Sequence, residues 1–260
     1  YAYAHPYEAE ALSAFGTFAA KTSGDYVGAE GLYREALRKD PTHLQTLCNY
    51  ALLLQGVRRD YTKAWHYIST ALECSPEYPP ALTYGALLMH TVFDNPKTAN
   101  DMYSRALVRS PKHTATLINQ AHLLWRALRD VNMAHTLLVR ALRYNPDDAV
   151  ALCGLGKLVS DEKQEIEKGL ALYRNALVVD PSNLAVLCNL AHLLLAQKGP
   201  AAFVEASELL DKALGLNQHY EDAKRVALSI ASWSIALAAH TLPSRGTAGR
   251  GGSGSAAGKG

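Results

Sequence analysis

Apolar and polar residues follow a pattern that repeats about every 35 residues along the chain. The first run in each block has the spacing i, i+3, i+4, i+7, as at Leu47, Tyr50, Ala51 and Leu54. The second run, after a short polar break, alternates small and large residues, as at Ala99, Tyr103, Ala106 and Leu107. Each run places its apolar groups on one face of a helix. Each block is therefore predicted to be a helical hairpin.

Residues that begin and end helices recur at the same interval of 35 residues. Proline recurs every 35 residues, at Pro41, Pro76, Pro111, Pro146 and Pro181. An Ala-Leu pair begins five residues before each proline, at Ala36, Ala71, Ala106, Ala141 and Ala176. Capping residues stand before the second helices, at Asp25, Asp60, Asn95, Asp130 and, as a weaker cap, Glu165. Their side chains can accept hydrogen bonds from the first helical amides, and proline cannot continue a helix.

Small residues recur where helices must approach closely. They occupy one slot in the first helix (Gly16, Ala51, Ala86, Ala121, Gly156, Ala191) and one in the second (Ala29, Ala64, Ala99, Ala134, Gly169, Ala206). The order of large apolar, small, aromatic and proline residues resembles the tetratricopeptide repeat family over about residues 8–218. The first unit fills the pattern with Leu12, Phe15, Gly16, Ala19, Ala29, Tyr33, Ala36 and Pro41. The period is 35 rather than the family's 34 residues, so one extra residue is expected in the turn between helices.

The resemblance implies an all-α fold, a right-handed α-solenoid of six helical hairpins plus a C-terminal capping helix. We assign the hairpins to residues 8–43, 44–78, 79–113, 114–148, 149–183 and 184–218, after an N-terminal extension at 1–7. The capping helix is assigned to 219–240 and a flexible Gly/Ser-rich tail to 241–260. Apolar residues on several faces make the capping helix a candidate docking helix, through Ile230, Trp233 and Leu237.

Composition narrows the class of protein. The net charge of +2 gives no field that would mark a nucleic-acid or membrane-surface binder, and no apolar stretch is long enough to span a membrane. Cys48, Cys153 and Cys188 share one repeat slot, which indicates packing residues in a reducing compartment. We expect an intracellular, cytoplasmic protein, with a ciliary or organellar assembly left open. Because the chain begins at Tyr1 rather than Met, a processed form or a fragment is expected.

Sequence motifs that would indicate catalysis, phosphate binding or metal binding are weak. Residues 154–157 (Gly-Leu-Gly-Lys) resemble part of a phosphate loop but lack its other glycine and its Ser/Thr, and they lie in the middle of a predicted helix. The histidines and cysteines form no His-x-x-x-His or Cys-x-x-Cys unit. We therefore expect no enzyme activity, no cofactor and no bound metal.

The resemblance also implies that the first helices line a concave groove that binds a peptide or helix of a protein partner. The groove-facing slots hold Asn49, Leu52, Leu87, His90, Ile118, Asn119, His122, Trp125, Lys157, Asn189 and His192. Asparagine fills one slot in every second repeat, at Asn49, Asn119 and Asn189, and its amide could bind a peptide backbone or bridge adjacent helices. The family's cationic clamp for a chaperone carboxylate is not evident in the first three repeats, where only Asn49 matches.

These features predict a protein–protein interaction scaffold or adaptor. The alternative is a structural subunit of a large cytoskeletal, ciliary or organellar assembly. A more distant alternative is an RNA-binding repeat protein of the pentatricopeptide type. That class lacks the Ala-Leu-x-x-x-Asp-Pro ending of these repeats and is usually basic, so nucleic acid is not the expected partner.

Overall fold

A computed structural model of the chain describes residues 6–196 and 200–228, and every secondary-structure element in these ranges is helical. The first three hairpins consist of α1 (Pro6–Phe18) with α2 (Tyr26–Lys39), α3 (Leu44–Leu53) with α4 (Tyr61–Cys74), and α5 (Pro79–Thr91) with α6 (Pro96–Arg109). The next three consist of α7 (Thr114–Arg126) with α8 (Val131–Tyr144), α9 (Ala149–Glu162) with α10 (Ile166–Val179), and α11 (Leu184–Ala196) with α12 (Pro200–Leu216). The described part of a last helix, α13, spans 221–228. The predicted all-α class is confirmed.

The chain divides into two compact units, Tyr1–Val186 and Leu187–Gly260. In the first unit each odd-numbered helix pairs with the next even-numbered one, and each even-numbered helix up to α8 packs on the odd-numbered helix that follows it. Successive odd-numbered helices also contact one another. Helices α1, α3, α5, α7 and α9 therefore lie along one side of this unit, which we call the first-helix face. In the second unit, α12 buries Ala206, Leu210 and Ala213, and α13 buries Ala223 and Val226.

The predicted caps start the second helices. Asp25, Asp60, Asn95 and Asp130 each accept a hydrogen bond from the amide three residues later, at 2.8 to 3.1 Å. Glu165 makes no such bond, in agreement with its longer side chain and weaker capping. The residue before each repeat proline is extended, with φ between −147° and −131°. Proline restricts its predecessor in this way, so the second helices end there.

The extra residue of the 35-residue period lies in the turn inside each hairpin. One residue per turn adopts the left-handed conformation, at Gly24, Arg59, Asp94, Arg129 and Gln164. The next residue's amide donates to the carbonyl oxygen six residues earlier, at 2.8 to 3.1 Å in all five turns. This bond satisfies a carbonyl that the helix end would leave unpaired. In the first two hairpins the widening extends into π-helical turns, Ala19–Ser23 and Leu54–Arg58.

The core of the first unit consists of the repeat slots themselves, small residues packed against large ones. A Cβ added to Gly16 would lie 2.8 Å from Cε1 of Tyr33, so only glycine fits beneath that ring. Gly156 lies in the same way beneath Tyr173, where an added Cβ would be 3.1 Å from Cε1. Cys48 belongs to this core, and burial raises the pKa of its thiol to about 12. A thiol that stays protonated in this way acts as a packing group rather than a nucleophile or ligand.

Candidate binding site on the first-helix face

A chain of hydrogen bonds crosses the first-helix face from the first hairpin to the start of the third. Nδ2 of Asn49 donates to Oγ1 of Thr17 at 3.0 Å, and Nε2 of Gln45 donates to Oδ1 of Asn49 at 3.0 Å. The hydroxyl of Tyr78 donates to Oε1 of Gln45 at 3.1 Å. The Thr17 hydroxyl donates to the carbonyl oxygen of Ser13, so the Tyr33 hydroxyl, 3.1 Å away, donates to Thr17. The amide of Asn49 therefore bridges adjacent helices.

A cavity of about 360 Å³ adjoins this hydrogen-bond chain, and we call it the tyrosine pocket. Three of its lining residues are tyrosines, and the full set is Thr17, Ala20, Lys21, Tyr26, Tyr33, Asn49, Leu52, Leu53, Val57 and Tyr84. Ala20 and Lys21 come from the first π-helical turn and Val57 from the second. The widened turns thus supply part of the wall, which fits the frequent occurrence of π-helical turns at functional sites.

The electrostatics of the tyrosine pocket are simple. Burial raises the pKa of the Tyr33 and Tyr84 hydroxyls, so both are neutral at physiological pH. Lys21 carries the one formal charge among the lining residues. The pocket therefore offers apolar and aromatic surface with a single cation at its wall. An apolar side chain with an acidic group nearby matches this environment.

A second cavity, of about 620 Å³, shares Thr17, Lys21 and Asn49 with the tyrosine pocket. It is more polar, and its other lining residues are Glu10, Ser13, Ala14, Phe18, Thr22, His43 and Gln45. The Ser13 hydroxyl oxygen is buried and has no hydrogen-bond partner. The two cavities together extend the depression across α1 and α3.

In the fourth and fifth hairpins, side chains fill the position that is equivalent to the tyrosine pocket. His122 occupies the slot that Thr17 has in the first hairpin, and Gly154 the slot that Asn49 has in the second. A Cβ added to Gly154 would lie 3.1 Å from Nε2 of His122, so the imidazole rests on the glycine. Burial lowers the pKa of His122, and the charge of Arg126 lowers it further, as does that of His90 when His90 is protonated. Burial also lowers the pKa of His90, so neither imidazole is cationic at pH 7.

Two residues expected to line the groove lie in the core. Trp125 is 3% exposed, and its Nε1 donates to Oε1 of Glu162 at 2.7 Å. Ile118 is 4% exposed and belongs to the same buried cluster as Trp125. Both side chains pack between the fourth and fifth hairpins, because apolar side chains at these slots reach the neighbouring hairpin and gain more by burial than by exposure. Trp125 joins α7 to α9 and offers almost no surface to a ligand.

The other predicted groove residues are more accessible. Leu52 is 39% exposed, while Leu87, His90, Asn119 and Lys157 are half-buried. Lys157 has its Nζ 3.4 Å from Oδ2 of Asp161. Among the described residues, Asn119 has no hydrogen-bond partner for its side-chain amide. In the second unit, His192 is exposed and Asn189 is half-buried.

The candidate docking residues lie outside the described part of the chain. They are Ile230, Trp233 and Leu237, and the 241–260 tail lies outside it as well.

Several residues of the tyrosine pocket were not among the predicted groove residues. Lys21, Tyr26 and Val57 belong to the turns or their flanks, which have no slot in the repeat pattern. Tyr84 shares its slot with Asn49, and this equivalence is the signal by which the sequence could have identified it.

Residues 6–196 and 200–228 show neither a metal-binding cluster nor a membrane-spanning helix. They contain no group of three or more His, Cys, Asp or Glu side chains arranged to hold a metal ion. None of their helices combines the length and the apolar character needed to cross a membrane.

Solved structures of helical repeat proteins superpose on the chain. The structure of Pseudomonas aeruginosa PilF matches with a TM-score of 0.67 at 14% identity, over 86% of this chain and 98% of that one. A tetratricopeptide repeat protein from Parabacteroides merdae matches with a TM-score of 0.63 at 16% identity, over 88% of each chain. YrrB, described as a TPR protein with an unusual peptide-binding site, matches with a TM-score of 0.50 at 20% identity, over 75% of this chain and 97% of that one.

No family model matches the sequence, and no curated protein sequence matches it. The likeness therefore rests on the arrangement of the helices, together with the repeat pattern of small, aromatic and proline residues that produces it. On both grounds, the fold of this chain is that of the tetratricopeptide repeat proteins.

Proposed function

We propose that the chain is a protein-interaction module that binds an extended peptide segment of a partner on the first-helix face, with one large apolar side chain of the peptide in the tyrosine pocket. The pocket is the observation that carries this proposal. Its volume of about 360 Å³ holds one large side chain, and tyrosine and leucine supply half of its lining residues. Anchoring of one apolar side chain in such a pocket is a common source of affinity in peptide recognition.

Lys21 supports a preference for an acidic residue beside the apolar anchor. It is the single charged side chain of that lining, and the nearest acidic lining residue, Glu10, belongs to the adjoining cavity. Because Lys21 is exposed, a pair with it contributes more to specificity and to the association rate than to total affinity. We therefore expect the ligand to carry Asp or Glu within a few residues of its anchor.

Asn119 supports a path for the rest of the peptide along the first-helix face. Its amide is half-buried and has no hydrogen-bond partner among the described residues, whereas the amide of Asn49 is already used by Thr17 and Gln45. A free amide can pair with a peptide group whatever side chain the peptide carries. The half-buried side chains of Leu87 and His90 are further apolar and neutral surface on the intervening α5.

Selection of a displayed library of short peptides against the full chain tests this proposal. Enriched sequences should combine a large apolar residue with an acidic residue nearby. Leu52→Arg should abolish binding of an enriched peptide, because it places a charge in the pocket wall. Lys21→Glu should weaken acidic peptides and favour basic ones.

Val178→Arg is the matched control, since Val178 is 82% exposed on α10, away from the first-helix face. It should leave peptide affinity unchanged. Enriched peptides that bind the Leu52→Arg and Lys21→Glu variants as tightly as the unmodified chain would place the binding surface elsewhere and overturn the proposal.

A further inference from the structure

One side of α1 carries an apolar stripe that no described helix covers, and its residues Ala14 and Phe18 lie at the edge of the second cavity. The stripe consists of Tyr7, Ala11, Ala14 and Phe18, which lie on one side of the helix, with Phe15 beside them. Tyr7 is 82% exposed, Phe15 is 64% exposed and Phe18 is 61% exposed. Contiguous exposed apolar surface of this kind is typical of a face that another helix or protein covers.

The corresponding slots are buried in the next hairpin. Ala11, Phe15 and Phe18 are equivalent to Thr46, Tyr50 and Leu53, one period later. All three of those α3 residues are buried, and α2 packs against that helix. The face of α1 thus has the residue types of a helix–helix interface, whereas no described residue covers it.

The spacing of the stripe allows a second copy of the same helix to cover it. The intervals between Tyr7, Ala11, Ala14 and Phe18 are four, three and four residues, so the pattern reads the same in both directions. A second copy of α1 running antiparallel, with a two-fold axis between positions 12 and 13, would place Tyr7 against Phe18 of the other copy. Ala11 would then face Ala14 of that copy, and two alanines allow the helix backbones to approach closely.

We propose that two copies of this chain form an isologous dimer through the α1 stripe in that antiparallel register. A closed two-fold contact is the commonest way for a protein to cover a self-complementary patch. Charges do not oppose it, because Glu8 would face Thr17 and Glu10 would face Phe15 of the other copy. Glu8 also forms a salt bridge within its own chain, since its Oε2 lies 2.9 Å from Nζ of Lys39.

The expected dimer is weak. With aromatic side chains of about 200 Å² each, the exposed fractions amount to about 400 Å² per copy. Both copies together, with the alanines, reach about 1,000 Å², which is below the standard size range that begins at about 1,200 Å² and in the range of weak, transient interfaces. Dimerisation should therefore depend on protein concentration.

Sedimentation equilibrium of the full chain over a roughly 100-fold concentration range tests the proposal. The unmodified chain should pass from monomer to dimer. Ala11→Lys and Ala14→Glu should each raise the dimer dissociation constant at least about tenfold, because each buries a charge without a partner. An equimolar mixture of the two variants should dimerise again, since the introduced lysine of one copy would face the introduced glutamate of the other.

Val178→Lys serves as the control, because it adds a charge on an exposed apolar position far from α1 and should not change the dissociation constant. Circular dichroism of each variant establishes that it folds, as exposed helical positions accept Lys and Glu readily. A chain that stays monomeric at every concentration overturns the proposal, as does a dimer that survives both single variants. A mixture that stays monomeric overturns the antiparallel register.

Discussion

The first two hairpins and the fourth and fifth present the same repeat slots on the first-helix face and use them in opposite ways. Between the first two, Thr17 and Asn49 are joined by a hydrogen bond beside an open cavity of about 360 Å³. Between the fourth and fifth, His122 rests on Gly154 and Trp125 is buried against α9. The helix pairing is the same in both regions. The size and polarity of a few side chains therefore decide whether this face is a pocket or a packed surface.

The largest expected effect is the difference in unfolding free energy lost when a buried and an exposed residue of the first-helix face are each replaced by alanine. Trp125→Ala should lower the free energy of unfolding by about 3 to 5 kcal/mol, because it empties a core position between two hairpins. Leu52→Ala should cost about 1 kcal/mol or less, since that side chain is 39% exposed. Urea unfolding of both variants, followed by circular dichroism, measures the difference. Equal costs would mean that the two regions do not differ in packing as described.

The contact between His122 and Gly154 can be measured by a double-mutant cycle. Gly154→Ala gains about 1 kcal/mol of helix propensity but brings a methyl group 3.1 Å from the imidazole and 3.3 Å from Leu138. We expect little net gain in the unmodified chain and a gain of about 1 kcal/mol in the His122→Ala background. Additive free energies of unfolding would show that the imidazole does not rest on the glycine.

The two asparagines should behave differently although they share a slot. Asn49→Ala should lower the free energy of unfolding by about 1 kcal/mol, because it removes hydrogen bonds to Thr17 and from Gln45. Asn119→Ala should leave stability within about 0.5 kcal/mol, since its amide bonds no described residue. The same Asn119 variant should reduce affinity for a selected peptide. Unchanged affinity would contradict a backbone-binding role for Asn119.

The smallest effect concerns a feature that the two regions share. Arg59 and Arg129 hold left-handed conformations at φ of 54° and 59°, which strain a residue with a Cβ. Arg59→Gly and Arg129→Gly should each raise the free energy of unfolding by about 0.5 kcal/mol, the relief of strain exceeding the entropy cost of glycine. Gly24→Ala is the reverse control and should be destabilising. Unequal gains at the two arginines, measured by thermal unfolding, would show that the turns differ after all.

Much of the fold could be predicted because the repeat sets helix positions by local chemistry. Caps such as Asp25 and Asp60 and prolines such as Pro41 act on the backbone around them, so the sequence shows where helices begin and end. The extra turn residue was visible in the 35-residue period. Its left-handed conformation was less visible, because arginine and glutamine give no such signal at three of the five positions.

The site was harder to predict because it depends on side-chain directions between hairpins. The slot of Trp125 indicated a groove residue, but its indole extends to Glu162 in the next hairpin. The amide of Asn49 could equally well have faced a ligand, and only the positions of Thr17 and Gln45 show that it is used internally. The pocket takes part of its wall from two π-helical turns in successive hairpins, and a single repeat does not encode that arrangement.

The backbone bond that closes each turn leaves the side chains of the turn free to vary. The left-handed residue and the cap after it are Gly-Asp, Arg-Asp, Asp-Asn, Arg-Asp and Gln-Glu in the five hairpins, with the same bond in each. Positions 59, 94 and 129 can therefore be varied together among residues that tolerate a positive φ, as in the loops of an engineered binding scaffold. The helices would hold such a library at a spacing of one hairpin, and a new partner could be selected on this edge without redesign of the core.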